Sequence, residues 1–264
     1  MQFRLATAIV AATLAWPAGA GARDLPARTQ QADPQAKIAA VENPESAKVC
    51  FDRARKLGFP AAGGGAPYIL RAEFTTRASS GVVETGSYTD TWVSDSKWRR
   101  EAVLGNSRFV RTRNGKKRYR VNEGPDAPLL QFVLTAMEPI PATDSIKDSD
   151  WKLRQEAVDG VAMIRVARGR EKPDGTPDPK QFEGYWFDGT GQLARTFLNS
   201  LQTRRLNFAD FNGIQVARRV EVVLEGKVGM RIDVTALGPA GTVDPRIFVM
   251  KGQEWNREFT SEVR

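Results

Sequence analysis

The chain has 264 residues, 41% hydrophobic and 27% charged, with 23 Gly, 15 Pro, a formal charge of +8 and no histidine. That length supports one large domain or two small ones around a substantial apolar core. Without histidine there is no Ser-His-Asp or Cys-His nucleophile, no imidazole base and no His-based metal site. The single Cys50 excludes an intrachain disulfide framework and any Cys-rich zinc or iron-sulfur site. The composition leans away from an enzyme, with no catalytic residue, cofactor or metal expected.

The chain opens on Arg4, a twelve-residue apolar run from Leu5 to Trp16, and small residues ending in Ala20-Gly21-Ala22. That is the pattern of a secretory signal, too short to span a membrane, so residues 1–22 are expected to be cleaved and the mature protein to be periplasmic. The run ends without a cysteine, which argues against lipid attachment there. Cleavage removes one positive charge, Arg4. The remaining positive charge suits an anionic membrane surface or an acidic envelope protein, or is a mixed surface with extra arginines. An exported protein meets little nucleic acid, and none is expected as a partner.

Residues 23–66 read as a flexible leader containing one short helix. Arg23–Asn43 has no apolar periodicity. Beyond Pro44, the pattern Val49, Arg53, Lys56 with Cys50, Ala54, Leu57 suggests a short amphipathic helix ending at Gly58. Ala61–Gly65 is a linker, and its glycines lack the Lys-Ser/Thr of a phosphate loop.

From residue 67 to 264 the character changes to short segments rich in β-branched and aromatic residues. Strands are predicted at Tyr68–Arg77, Val82–Val93, Lys97–Leu104, Arg108–Thr112, Lys117–Asn122 and Lys152–Val158. Six more follow at Val161–Arg168, Phe182–Asp188, Leu193–Leu201, Thr203–Phe211, Ile214–Leu224 and Val228–Ala236. Asn114-Gly115, Asp159-Gly160, Asp188–Gly191 and Asn212-Gly213 supply hairpin turns. The fold class is therefore mainly β with few helices: a curved antiparallel meander forming an incomplete β-barrel, with an apolar helix packed on its concave side.

That helix is Ala127–Glu138, with Asp126 as N-cap, Pro128 in the first turn and Pro139 beyond its end. Leu130, Val133, Leu134 and Met137 follow the i, i+3, i+4, i+7 rule. Leu129, Phe132 and Ala136 lie beside them, and Gln131, Thr135 and Glu138 form one polar stripe. Such a helix must be covered on more than one side. It is expected to lie across the open side of the sheet as a lid, hinged at Gly124-Pro125 and Pro139–Pro141, with Trp186 and Phe197 beneath it. Pro139–Asp150 and Lys172–Lys180 read as exposed connections.

The segments Tyr68–Phe74 (YILRAEF), Glu84–Trp92 (ETGSYTDTW), Lys97–Glu101 (KWRRE), Gly184–Leu193 (GYWFDGTGQL) and Asn212–Arg218 (NGIQVAR), with one apolar helix between them, resemble the outer-membrane lipoprotein carrier superfamily (LolA/LolB-like) over Tyr68–Leu237. The resemblance implies a periplasmic half-barrel wrapped over helices, whose apolar face binds the acyl chain of a lipid or lipoprotein without catalysis. Some relatives act as sensors or as parts of envelope assemblies. The family's arginine between the second and third strands is missing here, where the turn is Val93–Ser96, and the protruding apolar loop of LolB-type relatives has no match.

A hairpin centred on Asp95 places Trp92 opposite Trp98, Asp90 opposite Arg100 and Tyr88 opposite Ala102, all on one face. This is either a binding wall, with Arg100 meeting an anionic head group, or a structural aromatic ladder. The candidate ligand-binding residues are Leu130, Val133, Leu134, Met137, Tyr88, Trp92, Trp98, Arg100, Trp186 and Phe197. Asp144, Asp148 and Asp150 lack the Gly and Glu of a calcium loop and read as a solvated acidic loop. The spacing of Glu84, Asp90 and Glu101 gives no reason to expect a catalytic carboxylate pair. The arginines of Arg108–Arg120 and Arg204–Arg219 read as a solvated outer face. The expected function is an exported carrier or binding protein for a hydrophobic ligand, the alternatives being an envelope scaffold or sensor with a filled cavity, or a carboxylate hydrolase.

Overall fold

A computed structural model describes residues 46–59, 66–78, 80–138, 140–172, 177–198, 200–211, 213–224, 227–250 and 254. The expected signal (1–22), the leader up to residue 45 and the Gly-rich linker lie outside the described residues.

Among the described residues, twelve strands form one antiparallel sheet that is not closed into a barrel. In chain order they are β1 (Tyr68–Arg77), β2 (Val83–Ser94), β3 (Lys97–Leu104), β4 (Ser107–Asn114), β5 (Lys117–Glu123) and β6 (Lys152–Val158). They continue as β7 (Val161–Glu171), β8 (Pro177–Phe187), β9 (Leu193–Leu198), β10 (Leu201–Phe211), β11 (Ile214–Leu224) and β12 (Lys227–Pro239). The spatial order is β5-β4-β3-β2-β1-β12-β11-β10-β9-β8-β7-β6. The chain starts at the middle of the sheet, meanders to one edge, crosses to the other edge and meanders back. Its first and last strands pair there, from Tyr68 opposite Pro239 to Thr76 opposite Met230, with a bulge at Arg71/Ala72.

Hairpins dominate because the turn chemistry demands them. Asp159 and Gly160 both take positive φ, 52° and 77°, the geometry that lets a tight turn match the twist of β6 and β7. Every predicted strand exists, and the differences are at the ends. β8 begins at Pro177, so residues 177–180 of the expected loop Lys172–Lys180 are strand, paired onto Glu171 of β7 across a bulge. Gly169, at φ +97°, allows that bulge: a Cβ there would collide with the backbone of Gln181.

Among the described residues, two α-helices pack on the sheet. Helix α1 (Ala47–Gly58) buries Ala47, Cys50, Phe51 and Ala54, an i, i+3, i+4, i+7 stripe, against Trp151, Ile164, Val166, Tyr185, Phe187 and Leu193. Phe51 meets Trp151, Tyr185 and Phe187 edge-on, with centroids 4.9 to 5.6 Å apart. Its N-terminus is satisfied twice: Val49 N–H donates to Ser46 Oγ at 3.3 Å, and Lys48 N–H to Asp148 Oδ1 at 2.9 Å. One member of the expected acidic loop is thus a helix cap, the first residue of the second of two short 3-10 turns, Thr143–Ser145 and Asp148–Asp150.

Helix α2 (Ala127–Ala136) lies on the β5-to-β6 crossing. It ends two residues earlier than predicted, because Glu138 precedes Pro139 and the residue before a proline is driven out of helical geometry. Asp126 occupies the N-cap position but makes no side-chain capping bond; its N–H donates to Ser107 Oγ at 3.0 Å. Ala127, Leu130, Val133, Leu134 and Ala136 are buried in a core with Tyr68, Leu70, Phe74, Tyr88, Trp92 and Phe109. The predicted polar stripe is not the exposed side. Thr135 is buried and Gln131 accepts from Arg120 at 3.3 Å, while Phe132 is 37% exposed. On the opposite face of β3 and β4, a third 3-10 turn (Pro245–Phe248) brings Phe248 to complete burial, with Arg99 donating to Ile247 O at 2.9 Å.

Candidate functional site

The helices leave a cavity of about 110 Å³ on the inner face of the sheet. Its walls are the C-terminal ends of both helices (Ala54, Gly58 and Phe59; Ala136, Met137 and Glu138), Ile140, the middle of the sheet and Leu193 at the start of β9. From the sheet come Tyr68 and Leu70 of β1, Asp90 of β2, Arg205 and Phe208 of β10, Gln215, Val216 and Val220 of β11 and Val234 of β12. Most of this lining is apolar. Arg55 of α1 donates to Ile140 O at 2.7 Å and Arg205 to Ala136 O at 3.2 Å, so two guanidinium groups hold the segment at the end of α2 against its neighbours.

The Asp90–Arg100 pair sits where the hairpin register predicts, with Asp90 opposite Arg100, Trp92 opposite Trp98 and Tyr88 opposite Ala102. Arg100 Nε lies 3.3 Å from Asp90 Oδ2, and both side chains are under a tenth exposed. The Tyr68 hydroxyl donates to the same carboxylate oxygen at 3.3 Å, while Oδ1 has no hydrogen-bond partner among the described residues. Burial raises the Asp90 carboxyl above its ordinary value although Arg100 opposes the shift; the neighbouring Asp90 charge holds Arg100 firmly protonated against its own burial. The two tryptophans do not stack on one another. Trp92 stacks on Tyr68, centroids 5.6 Å apart and 12° between planes, and Trp98 lies under the Arg100 guanidinium at 4.3 Å. Tyr68, placed beside β2 by the sheet, competes successfully for the Trp92 face.

Among the predicted ligand-binding residues, Met137 lines the cavity. Leu130, Val133, Leu134, Tyr88 and Trp92 are buried in the core, Trp98 packs against it, and Arg100 reaches the cavity through Asp90. Trp186 and Phe197 correct the expectation that they lie beneath α2. They form a separate cluster with Met163, Ala167 and Phe182. The neighbours Tyr185 and Phe187 face α1, so strand alternation turns Trp186 to the other side. There Trp186 Nε1 donates to Glu156 at 2.5 Å, and Arg165 pairs with Glu156 and Glu171.

The reading of both arginine stretches as solvated is also corrected. Arg111 is 6% exposed with its guanidinium 5.5 Å from the Phe109 ring, and burial lowers its pKa to about 10. Arg205 faces the cavity. For Arg205 the available signal was adjacency: Arg204-Arg205 are consecutive strand residues, so one of the pair must face inward. Asp90 and Glu101 point to opposite faces. Glu101 is held below the ordinary carboxylate range by hydrogen bonds from Arg108 at 2.5 Å and Arg99 at 2.9 Å, which outweigh its partial burial. Among the described residues no group of acidic or cysteine side chains is arranged to hold a metal ion, and no helix is long and apolar enough to cross a membrane.

No family model and no curated protein matches the sequence. Among solved structures, the chain is similar to a LolA superfamily protein from Nitrosomonas europaea, at 12% identity and TM-score 0.48 over 78% of this chain and 98% of that one. It is similar to a putative outer membrane lipoprotein-sorting protein domain from Vibrio parahaemolyticus, at 8% identity and TM-score 0.46 over 75% of this chain and 93% of that one. A third likeness is to a DUF1329 family protein from Desulfovibrio piger, at 12% identity and TM-score 0.47 over 76% of this chain and 96% of that one.

Proposed function

We propose that this protein is an exported, non-enzymatic binding protein that holds the apolar chain of a lipid or lipoprotein between its sheet and helices. The observation that carries the reading is the cavity at the joint C-terminal ends of α1 and α2, apolar over most of its lining. At about 110 Å³ it is far smaller than a long acyl chain needs. Ligand entry therefore requires the ends of α1 and α2 to move off β10 and β11, the contacts to break being those of Arg55 and Arg205. Hydrolysis by paired carboxylates is disfavoured because Asp90 is committed to Arg100 and Glu101 faces the other side of the sheet. The cleaved signal belongs to the same reading: mature protein from the native envelope should begin at Arg23 or Gly21 and remain in solution without detergent.

A second reading, an envelope scaffold that binds a protein, is favoured by the complete burial of Leu130 and Val133, which makes the middle of α2 core rather than a removable lid. Native mass spectrometry of the mature protein, followed by lipid extraction, separates the two. A co-purified species of lipid mass, released on denaturation, supports the carrier. A single ligand-free mass that stays unchanged after incubation with lipid overturns it and leaves the scaffold.

A further inference from the structure

Arg205 is the unusual residue of the cavity. It donates to Thr203 Oγ1 at 3.3 Å and to the Ala136 carbonyl at 3.2 Å, both neutral acceptors, and no carboxylate forms an ion pair with it among the described residues. Arg99, Arg100, Arg165, Arg168, Arg195 and Arg219 each have one. Asp90, a carboxylate of the same cavity, is engaged by Arg100 and Tyr68. Burial lowers the Arg205 pKa to about 10, with only Tyr185 acting against it. A guanidinium carries five N–H donors, and removing it from water without a counter-charge is costly. Capping the end of α2 engages one of those donors and gains from the helix dipole, but a surface-exposed lysine or arginine would do the same without being half-buried in a cavity lined by Phe208, Val216 and Val220.

We propose that Arg205 is the anion-binding residue of this cavity, so that the ligand is an amphiphile whose apolar chain carries a carboxylate or phosphate group. This rests on the cavity reading above and adds the chemistry of the head group. The planar fork of Arg205 offers parallel donors to two oxygens of such a group, and the apolar walls take the chain.

The test is titration of the delipidated mature protein with oleate, oleoyl lysophosphatidate and oleyl alcohol, which share one chain and differ in head group. The wild type is expected to bind at least one anionic amphiphile about tenfold more tightly than the alcohol, and the tighter of the two identifies carboxylate or phosphate as the natural group. Arg205→Gln should remove the preference, read as the ratio of anionic to alcohol affinity within the same variant, and Arg205→Lys should retain part of it. Equal binding of all three by the wild type overturns the proposal with no substitution needed, as does an undiminished preference in folded Arg205→Gln. Failure of the wild type to bind any of the three, the neutral alcohol included, removes the cavity reading itself.

Discussion

Replacing Arg100 by alanine isolates the electrostatics of the inner face. In the folded protein Asp90 and Arg100 are 6% and 9% exposed, and their one close approach is 3.3 Å. Truncating Arg100 leaves the carboxylate with the Tyr68 hydroxyl as its hydrogen-bond donor and no counter-charge. Breaking a buried pair in this way costs about 3–5 kcal/mol, against at most about 1 kcal/mol for an exposed pair. Asp90 already has a raised pKa, and without Arg100 it rises further. A carboxyl whose folded pKa exceeds its unfolded value contributes stability below the unfolded value and loses it as pH climbs through the folded one. The deficit of Arg100→Ala should therefore shrink as pH falls toward the ordinary carboxylate range. Urea denaturation followed by circular dichroism at several pH values measures both effects. The double variant Asp90→Leu/Arg100→Met removes both charges and should lie within about 1 kcal/mol of wild type. A cost below 1 kcal/mol for Arg100→Ala, or a double variant as damaged as the sum of its single changes, would refute the uncompensated-charge argument.

Leu134, 1% exposed in the core beneath α2, should cost about 2–5 kcal/mol on truncation to alanine, and a urea midpoint unchanged from wild type would show that the helix is not pinned there. Gly86→Ala should destabilise by about 1–3 kcal/mol, because a Cβ at this position overlaps the Phe74 ring and the Val103 carbonyl; full stability in thermal melts would contradict that crowding. Burial pushes the Cys50 thiol up to about 11, so the folded protein should resist a thiol reagent at pH 8 that labels the unfolded chain quickly. The proton is held more tightly in the folded state, so the contribution of Cys50 is present below about pH 9 and is lost as pH rises to about 11. The stability of wild type should fall relative to Cys50→Ala across that window, and parallel curves would sink the idea.

The strand count and hairpin order were legible because turn residues and strand composition are local signals: Asp159-Gly160 names its own turn. The register of β2 on β3 matches a hairpin centred on Asp95, although the turn itself pairs Ser94 with Lys97 and a bulge between Trp92 and Ser94 restores Trp92 to Trp98. What lay beyond reach depends on long-range pairing. Nothing near Tyr68 announces that β1 pairs with β12 on one side and β2 on the other, which is what gives Trp92 its stacking partner. Asp148 caps a helix 100 residues earlier, and a loop aspartate has no sequence mark for that role. The side assigned to Trp186 failed because β8 carries apolar residues on both faces: Phe182 and Trp186 on one, Tyr185 and Phe187 on the other. Alternation then has no polar phase to read. Arg205 was misplaced for a related reason, because an arginine beside an arginine does not say which of the two turns inward.

The pairing of the first strand with the last also sets the order in which the protein assembles. Strands β2 to β5 and β6 to β11 are each consecutive neighbours, built from hairpins that close over short loops. The seam between these two arcs is β1 against β12, and bringing Tyr68 to Pro239 closes a loop of nearly the whole domain. Such a closure loses more chain entropy than any hairpin and is recouped only when most of the other strands are in place. It also needs residue 239 to be present. A polypeptide emerging from its amino end therefore cannot close the seam between the two arcs until residue 239 has appeared, however early its hairpins form.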